Sequence, residues 1–138
     1  MRIAIVGSRI FPCTDFDLID SFIDGLPDGS VIVSGGARGV DRIAQKRAEE
    51  RGFETIIILP NYDQFGGQAP LIRNKEIVNR SDIVVAFWDG RSRGTLHIMK
   101  RAEQVGKLVL VVYPRGTHQR ELQRNVGSTD KQRVSRNL

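Results

Sequence analysis

The chain is poor in cysteine, in aromatic residues and in long apolar runs. Its 138 residues contain one cysteine, Cys13, and 7% are aromatic. A single cysteine excludes an internal disulfide framework and a cysteine-rich metal site. No apolar run approaches the roughly 18 residues that a membrane helix needs, and the first residues do not resemble a signal peptide. We therefore expect a cytoplasmic protein that does not bind membranes.

The sequence has no group of residues at the spacing of metal ligands, and most of the chain has no excess of one charge. Histidine, cysteine and aspartate form no spaced cluster, so neither a metal site nor a cofactor is predicted. Residues 1–112 carry 15 Lys and Arg against 14 Asp and Glu, whereas residues 113–138 carry six against two. The net charge of +5 thus comes mainly from the end of the chain. A nearly neutral domain does not indicate a basic face for duplex DNA.

What the sequence does contain is a regular alternation of strand and helix patterns. Short runs rich in Val and Ile, apolar almost throughout, are typical of strands buried on both faces of a parallel sheet. The predicted strands cover residues 2–6, 30–33, 54–59, 83–87 and 108–112, and the predicted helices cover residues 15–26, 39–51, 70–80 and 95–105. This order predicts an α/β fold with a mainly parallel central sheet of about five strands in one domain, residues 1–113.

Beyond Val112 the alternation stops. Residues 114–138 are polar and basic, with almost no apolar content, and we predict a flexible C-terminal tail. Such a tail suits either a solubilising end or a segment that binds single-stranded nucleic acid through its phosphates.

Glycine-rich or polar turns follow several predicted strands. The segments 34–41 and 89–95 combine glycine, arginine and a helix start. Backbone N–H groups at a helix start bind anions, and a guanidinium group bonds phosphate in a bidentate manner. The carboxyl ends of parallel strands lie at one edge of the sheet, where ligands bind. Two such turns in one small domain predict a phosphate-bearing ligand.

The candidate site residues come from four segments, residues 7–9, 34–41, 73–74 and 89–95. Asp41, Arg73 and Asp89 are the candidates for catalysis, should the protein be an enzyme. Two of the candidates have structural alternatives: Asp41 could complement the helix dipole, and Thr95 could cap its helix. Trp88 suits the core, a dimer contact or base stacking. His97 suits a surface position better than a catalytic one. The candidate ligand-binding residues are Gly7, Ser8, Arg9, Ser34, Gly35, Gly36, Ala37, Arg38, Asp41, Arg73, Asn74, Asp89, Gly90, Arg93, Gly94 and Thr95.

These motifs, in this order over residues 1–112, resemble the SLOG superfamily. The resemblance is strongest to the YspA/YpsA-related group, kin to the DNA-processing protein A (Smf) domain and to the Lonely Guy phosphoribohydrolases. It implies a Rossmann-like three-layer sandwich, a nucleotide or nucleotide-derived ligand, and a homodimer or higher homo-oligomer.

The superfamily leaves three functions open for this chain. The first is binding of a nucleotide-derived ligand for sensing or sequestration, the second is Lonely Guy-like hydrolysis of nucleoside 5′-monophosphates, and the third is binding of single-stranded DNA. In the Lonely Guy pattern a catalytic glutamate follows the last glycine turn. His97 and Ile98 occupy those positions here, which favours binding over cleavage.

Overall fold

The protein folds around a parallel sheet. A computed structural model describes residues 1–116 of the chain. The strands of the sheet are β1 (Arg2–Gly7), β2 (Val31–Ser34), β3 (Glu54–Ile57), β4 (Ile83–Phe87) and β5 (Leu108–Val112). The strands lie in the order β3-β2-β1-β4-β5, and every neighbouring pair is parallel. The predicted α/β fold with a five-stranded parallel sheet is confirmed.

The four predicted helices are present and differ from prediction only at their ends. A fifth helix has a single turn, which is too short to show the apolar periodicity that would predict it. The Asn61 side-chain oxygen caps this helix by accepting from the Gln64 N–H at 3.1 Å. No helix within residues 1–116 is long and apolar enough to cross a bilayer. The helices are α1 (Phe16–Asp24), α2 (Val40–Glu50), α3 (Tyr62–Phe65), α4 (Ala69–Asn79) and α5 (Arg93–Gln104).

Helices cover both faces of the sheet and complete the three predicted layers. Successive side chains of a strand point to opposite faces. Ile3 and Ile5 of β1 therefore pack in one apolar cluster with α1 and α2, while Ala4 and Val6 pack in a second cluster with α4 and α5. All four side chains are buried, so the central strand carries no polar residue at these positions.

The order of the strands reverses between β1 and β4. The chain moves outward from β1 through β2 to β3, and then crosses the sheet to pair β4 with the other side of β1. Gly7, the last residue of β1, pairs in register with Phe87, the last residue of β4. The turns that follow these two strands diverge to opposite faces, which opens a crevice at this end of the sheet.

The chain returns to the first helix after the last strand. The Arg115 N–H donates to Asp15 Oδ2 at 3.0 Å, and its guanidinium bonds the carboxylates of Asp15 and Asp17. Arg115, assigned by prediction to the tail, is thus described in contact with the domain. The rest of the predicted tail, residues 117–138, lies outside the described residues, and the division of the chain at residue 113 remains a prediction.

Candidate functional site

Ser8 joins three elements at the reversal of strand order. Its N–H donates to the Phe87 carbonyl at 3.1 Å, and its own carbonyl accepts from the Val40 N–H at 3.4 Å. Its hydroxyl accepts from the Asp89 N–H at 3.0 Å. Ser8 is 1% exposed, so these bonds are made in the interior. They hold together the first turn (residues 7–9, after β1), the second turn (residues 34–39, after β2) and the last turn (residues 89–92, after β4).

The second turn, residues 34–39, needs glycine for two different reasons. Gly39 has φ +77°, and a Cβ there would lie 2.7 Å from the Ser8 carbonyl oxygen. Gly35 is buried without a positive φ, but a Cβ would lie 2.8 Å from Arg73 Nη1 and 3.1 Å from Asp41 Oδ2. The absence of a side chain at position 35 thus lets the turn sit against a guanidinium group and a carboxyl group.

Arg73 reaches this turn from α4, where it was predicted to lie. Its Nη1 donates to the Gly35 carbonyl at 2.7 Å and lies 3.4 Å from the Ile58 carbonyl, and its Nε donates to Asn74 Oδ1 at 3.0 Å. These bonds engage Nε and Nη1, and no bond to Nη2 occurs within residues 1–116. Burial lowers the pKa of the guanidinium, while the nearby Asp41 carboxyl acts in the opposite direction.

Asp41 is a buried carboxyl group in the first turn of α2. It is 5% exposed, and its Oδ2 accepts from the Ala37 N–H at 3.2 Å. Burial raises its pKa to about 6, although the Ala37 hydrogen bond and the positive charge of Arg73 act in the opposite direction. The group therefore changes charge near pH 6; a carboxyl group donates a hydrogen bond when protonated and only accepts when ionised.

The last turn is organised by its own side chains. Asp89 Oδ1 accepts from the N–H groups of Arg91 and Ser92, each at 2.8 Å. Ser92 caps α5 by accepting from the Thr95 N–H at 3.4 Å, and the two hydroxyl groups lie 3.1 Å apart. Ser92 therefore accepts from the Thr95 N–H, while the Thr95 O–H is still able to donate to a ligand if Ser92 is the donor between the two hydroxyl groups.

The first turn of α5 still offers donors. Arg93 and Gly94 are the first two residues of the helix, so their N–H groups have no intrahelical carbonyl to which they could donate. Gly94 is exposed, and a Cβ there would meet nothing within 4 Å. Backbone N–H groups at an exposed helix start of this kind are able to bind an anion.

Trp88 belongs to the core. It is 1% exposed, its indole N–H donates to the Ser92 carbonyl at 3.0 Å, and its ring lies 6.0 Å from that of Tyr113. Of the three roles left open for it, base stacking and a dimer contact do not fit this burial.

The turns enclose a cavity of about 510 Å³. It brings together the three candidates for catalysis and residues from all four predicted segments. The predicted residues that line it are Gly7, Arg9, Ala37, Asp41, Arg73, Asn74, Asp89, Gly94 and Thr95.

The other predicted residues do not line the cavity, and they fall into two groups. Some support its wall from behind: the Ser34 hydroxyl, for example, accepts from the Gly36 N–H at 3.3 Å. Others, Arg38 and Arg93, are exposed at the surface. The residues that do not line the cavity are Ser8, Ser34, Gly35, Gly36, Arg38, Gly90 and Arg93.

Sequence reasoning missed part of the lining. Ile10, which is 83% exposed, follows the first turn in a stretch without a strand or helix signal. Ser92 could have been found, because a serine three residues before Thr95 fits the usual position of a helix cap. The apolar lining residues occur in patterns that predict only core. The additional lining residues are Val6, Ile10, Pro70, Ile77, Arg91, Ser92 and Ile98.

Within the described part of the chain, no three His, Cys, Asp or Glu side chains cluster as a metal site would require.

Asn74 forms a hydrogen bond with His97. Asn74 is 4% exposed, and its Nδ2 donates to His97 Nδ1 at 3.2 Å. His97 is thus half-buried against α4, in contrast to the expected surface position.

The comparisons with known proteins agree with this architecture. The family model described as DNA recombination-mediator protein A matches residues 1–64. The Gene 61 protein of Mycobacterium phage D29 is 36% identical over 113 residues, which are 76% of this chain and 90% of the phage protein.

Two solved structures share the fold at 22% identity. DNA processing protein A from Streptococcus pneumoniae has a TM-score of 0.78 and covers 99% of this chain, which spans only 58% of that protein. A structure of DNA processing protein A from Helicobacter pylori, described by its single-stranded DNA binding mode, has a TM-score of 0.72 and covers 98% of this chain and 74% of that one. The chain therefore belongs to the family of the Gene 61 protein, within the SLOG superfamily and related to DNA-processing protein A.

Proposed function

We propose that the cavity binds a nucleotide or nucleotide-derived ligand. One observation carries the proposal: the guanidinium of Arg73, the carboxyl of Asp41 and the open start of α5 all border one cavity at the reversal of strand order. Its volume of about 510 Å³ falls within the range of about 300–1,000 Å³ that is usual for small-molecule sites.

The charges of the lining suit a phosphate group. Arg9, Arg73 and Arg91 border the cavity, and the N–H groups at the start of α5 add partial positive charge. Arg73 is held by bonds from Nε and Nη1, so its remaining nitrogen meets an anion without first losing conformational freedom.

The rest of the lining suits a nucleoside. Asp41 can bond a ribose hydroxyl or an amino group, because a carboxyl group offers two oxygen atoms and its Ala37 bond uses one of them. Ile77 and Ile98 are nearly buried side chains at the cavity, and the exposed Ile10 offers apolar surface at its edge. A flat base packs on apolar surface of this kind.

Calorimetry against nucleoside mono-, di- and triphosphates, cyclic nucleotides and ADP-ribose tests the proposal. We expect Arg73→Gln to weaken binding by about 10- to 100-fold, the loss of one charged hydrogen bond or slightly more. Arg42→Gln is the matched control: it removes the same charge from an exposed position beside Asp41 that does not line the cavity. Failure of every nucleotide to bind wild type would refute the proposal.

A second candidate is single-stranded DNA binding, favoured by the exposed arginines of the turns. Arg9, Arg38, Arg91 and Arg93 are all exposed at this end of the sheet. The match to the DNA recombination-mediator model and the single-stranded DNA binding of the Helicobacter protein support it.

Salt dependence separates the two candidates. Binding of an oligonucleotide across the arginines should weaken with salt with a logarithmic slope of about −0.7 per phosphate contact, and Arg93→Gln should reduce that slope. A chain ending at Gly116 tests the predicted contribution of the basic tail. If it binds the oligonucleotide as tightly as the full chain, the tail has no role.

Phosphoribohydrolase activity is the weaker alternative, and only the raised pKa of Asp41 favours it. Asp89, the other carboxylate, already accepts two backbone N–H groups through Oδ1. Release of free adenine from AMP, abolished by Asp41→Asn, would support hydrolysis. Absence of base release from every nucleoside 5′-monophosphate would eliminate it.

We also propose the homodimer implied by the resemblance. Leu59, Tyr62 and Leu71 are between 43% and 65% exposed near the free edge of β3, and exposed apolar groups of this kind are common at subunit interfaces. Analytical ultracentrifugation of wild type and of Leu59→Glu with Leu71→Glu tests it. A monomeric wild-type protein at micromolar concentration would contradict it.

A further inference from the structure

A chain of hydrogen bonds joins α5 to the second turn through the side chains of α4. His97 Nδ1 bonds Asn74 Nδ2 at 3.2 Å, Asn74 Oδ1 bonds Arg73 Nε at 3.0 Å, and Arg73 Nη1 bonds the Gly35 carbonyl at 2.7 Å. Its members come from positions 35, 73, 74 and 97, and no sequence motif contains all four.

The donors and acceptors along this chain are fixed by Arg73. A guanidinium nitrogen only donates, so the Asn74 atom that faces Arg73 is the carbonyl oxygen. The amide NH₂ of Asn74 must then face His97, and His97 Nδ1 must accept. This requires neutral His97 with its proton on Nε2.

Protonation of His97 would reverse this order. A proton on Nδ1 opposes the Asn74 NH₂, and the bond is regained only if the carboxamide turns over. That rotation would place NH₂ against Arg73 Nε–H, two donors facing one another. Because Asn74 is 4% exposed, water has little access to repair the mismatch.

We propose that His97 is a positioning residue: in its neutral form, acting through Asn74, it fixes the orientation of the Arg73 guanidinium in the cavity. A consequence for ligand affinity rests on the nucleotide-binding function proposed above. His97 itself is not among the residues that line the cavity, so it acts through the other two.

The surroundings of His97 favour the neutral form. Burial lowers its pKa below the ordinary 6.5, and the positive charges of Lys75 on α4 and Arg101 on α5 lower it further. The ring is therefore neutral at pH 7.5, and acidification is the perturbation that should release Arg73.

The first experiment needs no ligand. His118→Asn leaves His97 as the single histidine, and ¹⁵N NMR follows its ring nitrogens and the Arg73 Nε–H from pH 8 to pH 5. We expect the Nε2–H tautomer at pH 7.5, and we expect the Arg73 Nε–H to lose protection from exchange as His97 becomes protonated. In His97→Asn, which keeps an acceptor and cannot titrate, protection should not change with pH.

His97→Leu provides the opposite case. It has no acceptor, so the Arg73 Nε–H should be poorly protected at every pH, while thermal unfolding checks that the variant is folded. Equal protection of the Arg73 Nε–H in wild type and His97→Leu at pH 7.5 would overturn the proposal, as would the Nδ1–H tautomer in wild type.

The second experiment measures AMP affinity in wild type, His97→Asn and His97→Leu. The AMP phosphate and Asp41 also titrate near pH 6, so the informative quantity is the ratio of dissociation constants of wild type and His97→Asn at each pH. We expect about tenfold weaker binding in His97→Leu than in wild type, and a ratio near one at pH 7.5 that rises as His97 becomes protonated on acidification.

The two experiments fail separately. If AMP does not bind but the Arg73 signal follows His97, nucleotide binding by AMP is refuted and the positioning role is supported. If AMP binds equally well to wild type and His97→Leu at pH 7.5, and the Arg73 signal is unchanged, the positioning role is refuted.

Discussion

The hydroxyl of Ser8 accepts a hydrogen bond from the backbone N–H of Asp89, 81 positions further along the chain, at 3.0 Å. This bond closes the reversal point of the sheet, because each residue belongs to the turn that follows one of the two central strands. Ser8 is 1% exposed, so its hydroxyl makes this bond in the interior of the protein.

Ser8→Ala should therefore destabilise the protein by about 1–3 kcal/mol, the cost of a buried N–H without an acceptor. Urea unfolding measures the change. Ser21→Ala, at an exposed position of α1, is the control and should remain within about 0.5 kcal/mol of wild type. Equal stabilities for both variants would show that the Asp89 N–H finds another partner.

Asp41 should make stability fall as pH rises from about 4 to about 6. Its pKa is raised to about 6 in the folded state, so the folded protein binds more protons than the unfolded chain in this interval. The loss amounts to at most about 3 kcal/mol, since each pKa unit corresponds to about 1.4 kcal/mol.

Asp41→Asn isolates this effect, because asparagine keeps an oxygen for the Ala37 N–H and does not titrate. We expect the stability of wild type minus that of the variant to decrease between pH 4 and pH 6 in urea unfolding. The pKa of His97 is lowered, so that residue acts in the opposite direction, and the subtraction removes it. A difference that is constant with pH would contradict the raised pKa of Asp41.

Gly35→Ala should displace Arg73. The added Cβ would lie 2.8 Å from Nη1, closer than such atoms approach, and 3.1 Å from Asp41 Oδ2, which is tighter than most contacts of a Cβ. We expect a loss of about 1–3 kcal/mol in the free energy of unfolding and weaker nucleotide binding. Gly67→Ala is the control, because its Cβ meets nothing within 4 Å. Unchanged binding in Gly35→Ala would show that Arg73 can move without cost to the site.

Arg115→Ala should lower the free energy of unfolding of the domain, because Asp15 is buried and loses a charged partner. Asp17→Asn weakens only an exposed pair with the same arginine and should lower the free energy of unfolding less than Arg115→Ala does. Thermal and urea unfolding of both variants decide the matter. Equal costs would mean that burial of Asp15 does not strengthen its bond to Arg115.

Local patterns in the sequence predicted the elements of this fold well. Four of the strands are short, mostly buried runs rich in Val and Ile, which is typical of strands covered on both faces, whereas the edge strand β3 begins with Glu54 and Thr55 and has no fully buried residue. The single turn of α3 was not predictable in this way, because four residues cannot show a period of 3.6.

The site was predictable only as a set of turns. The sequence placed Arg73 on a helix near the cavity, but its bond to the Gly35 carbonyl joins residues 38 positions apart and depends on how α4 packs. Similarly, the sequence allows Thr95 to bind phosphate or to cap its helix. The structure shows that Ser92 is the cap and accepts a hydrogen bond from the Thr95 N–H. Tertiary contacts decide which donors remain free, and no local pattern records them.

The wall of the cavity is divided along the chain, and this division bears on how ligand choice could evolve. Residues 1–64, which match the DNA recombination-mediator model, supply Gly7, Ala37 and Asp41, whereas Arg73 and the last turn lie beyond that segment. A relative could keep the first half of the wall unchanged and acquire a different ligand by substitutions in residues 69–98 alone. If the cavity binds a ligand as proposed, similarity confined to the first half would preserve the place of binding while leaving the identity of the ligand open to change.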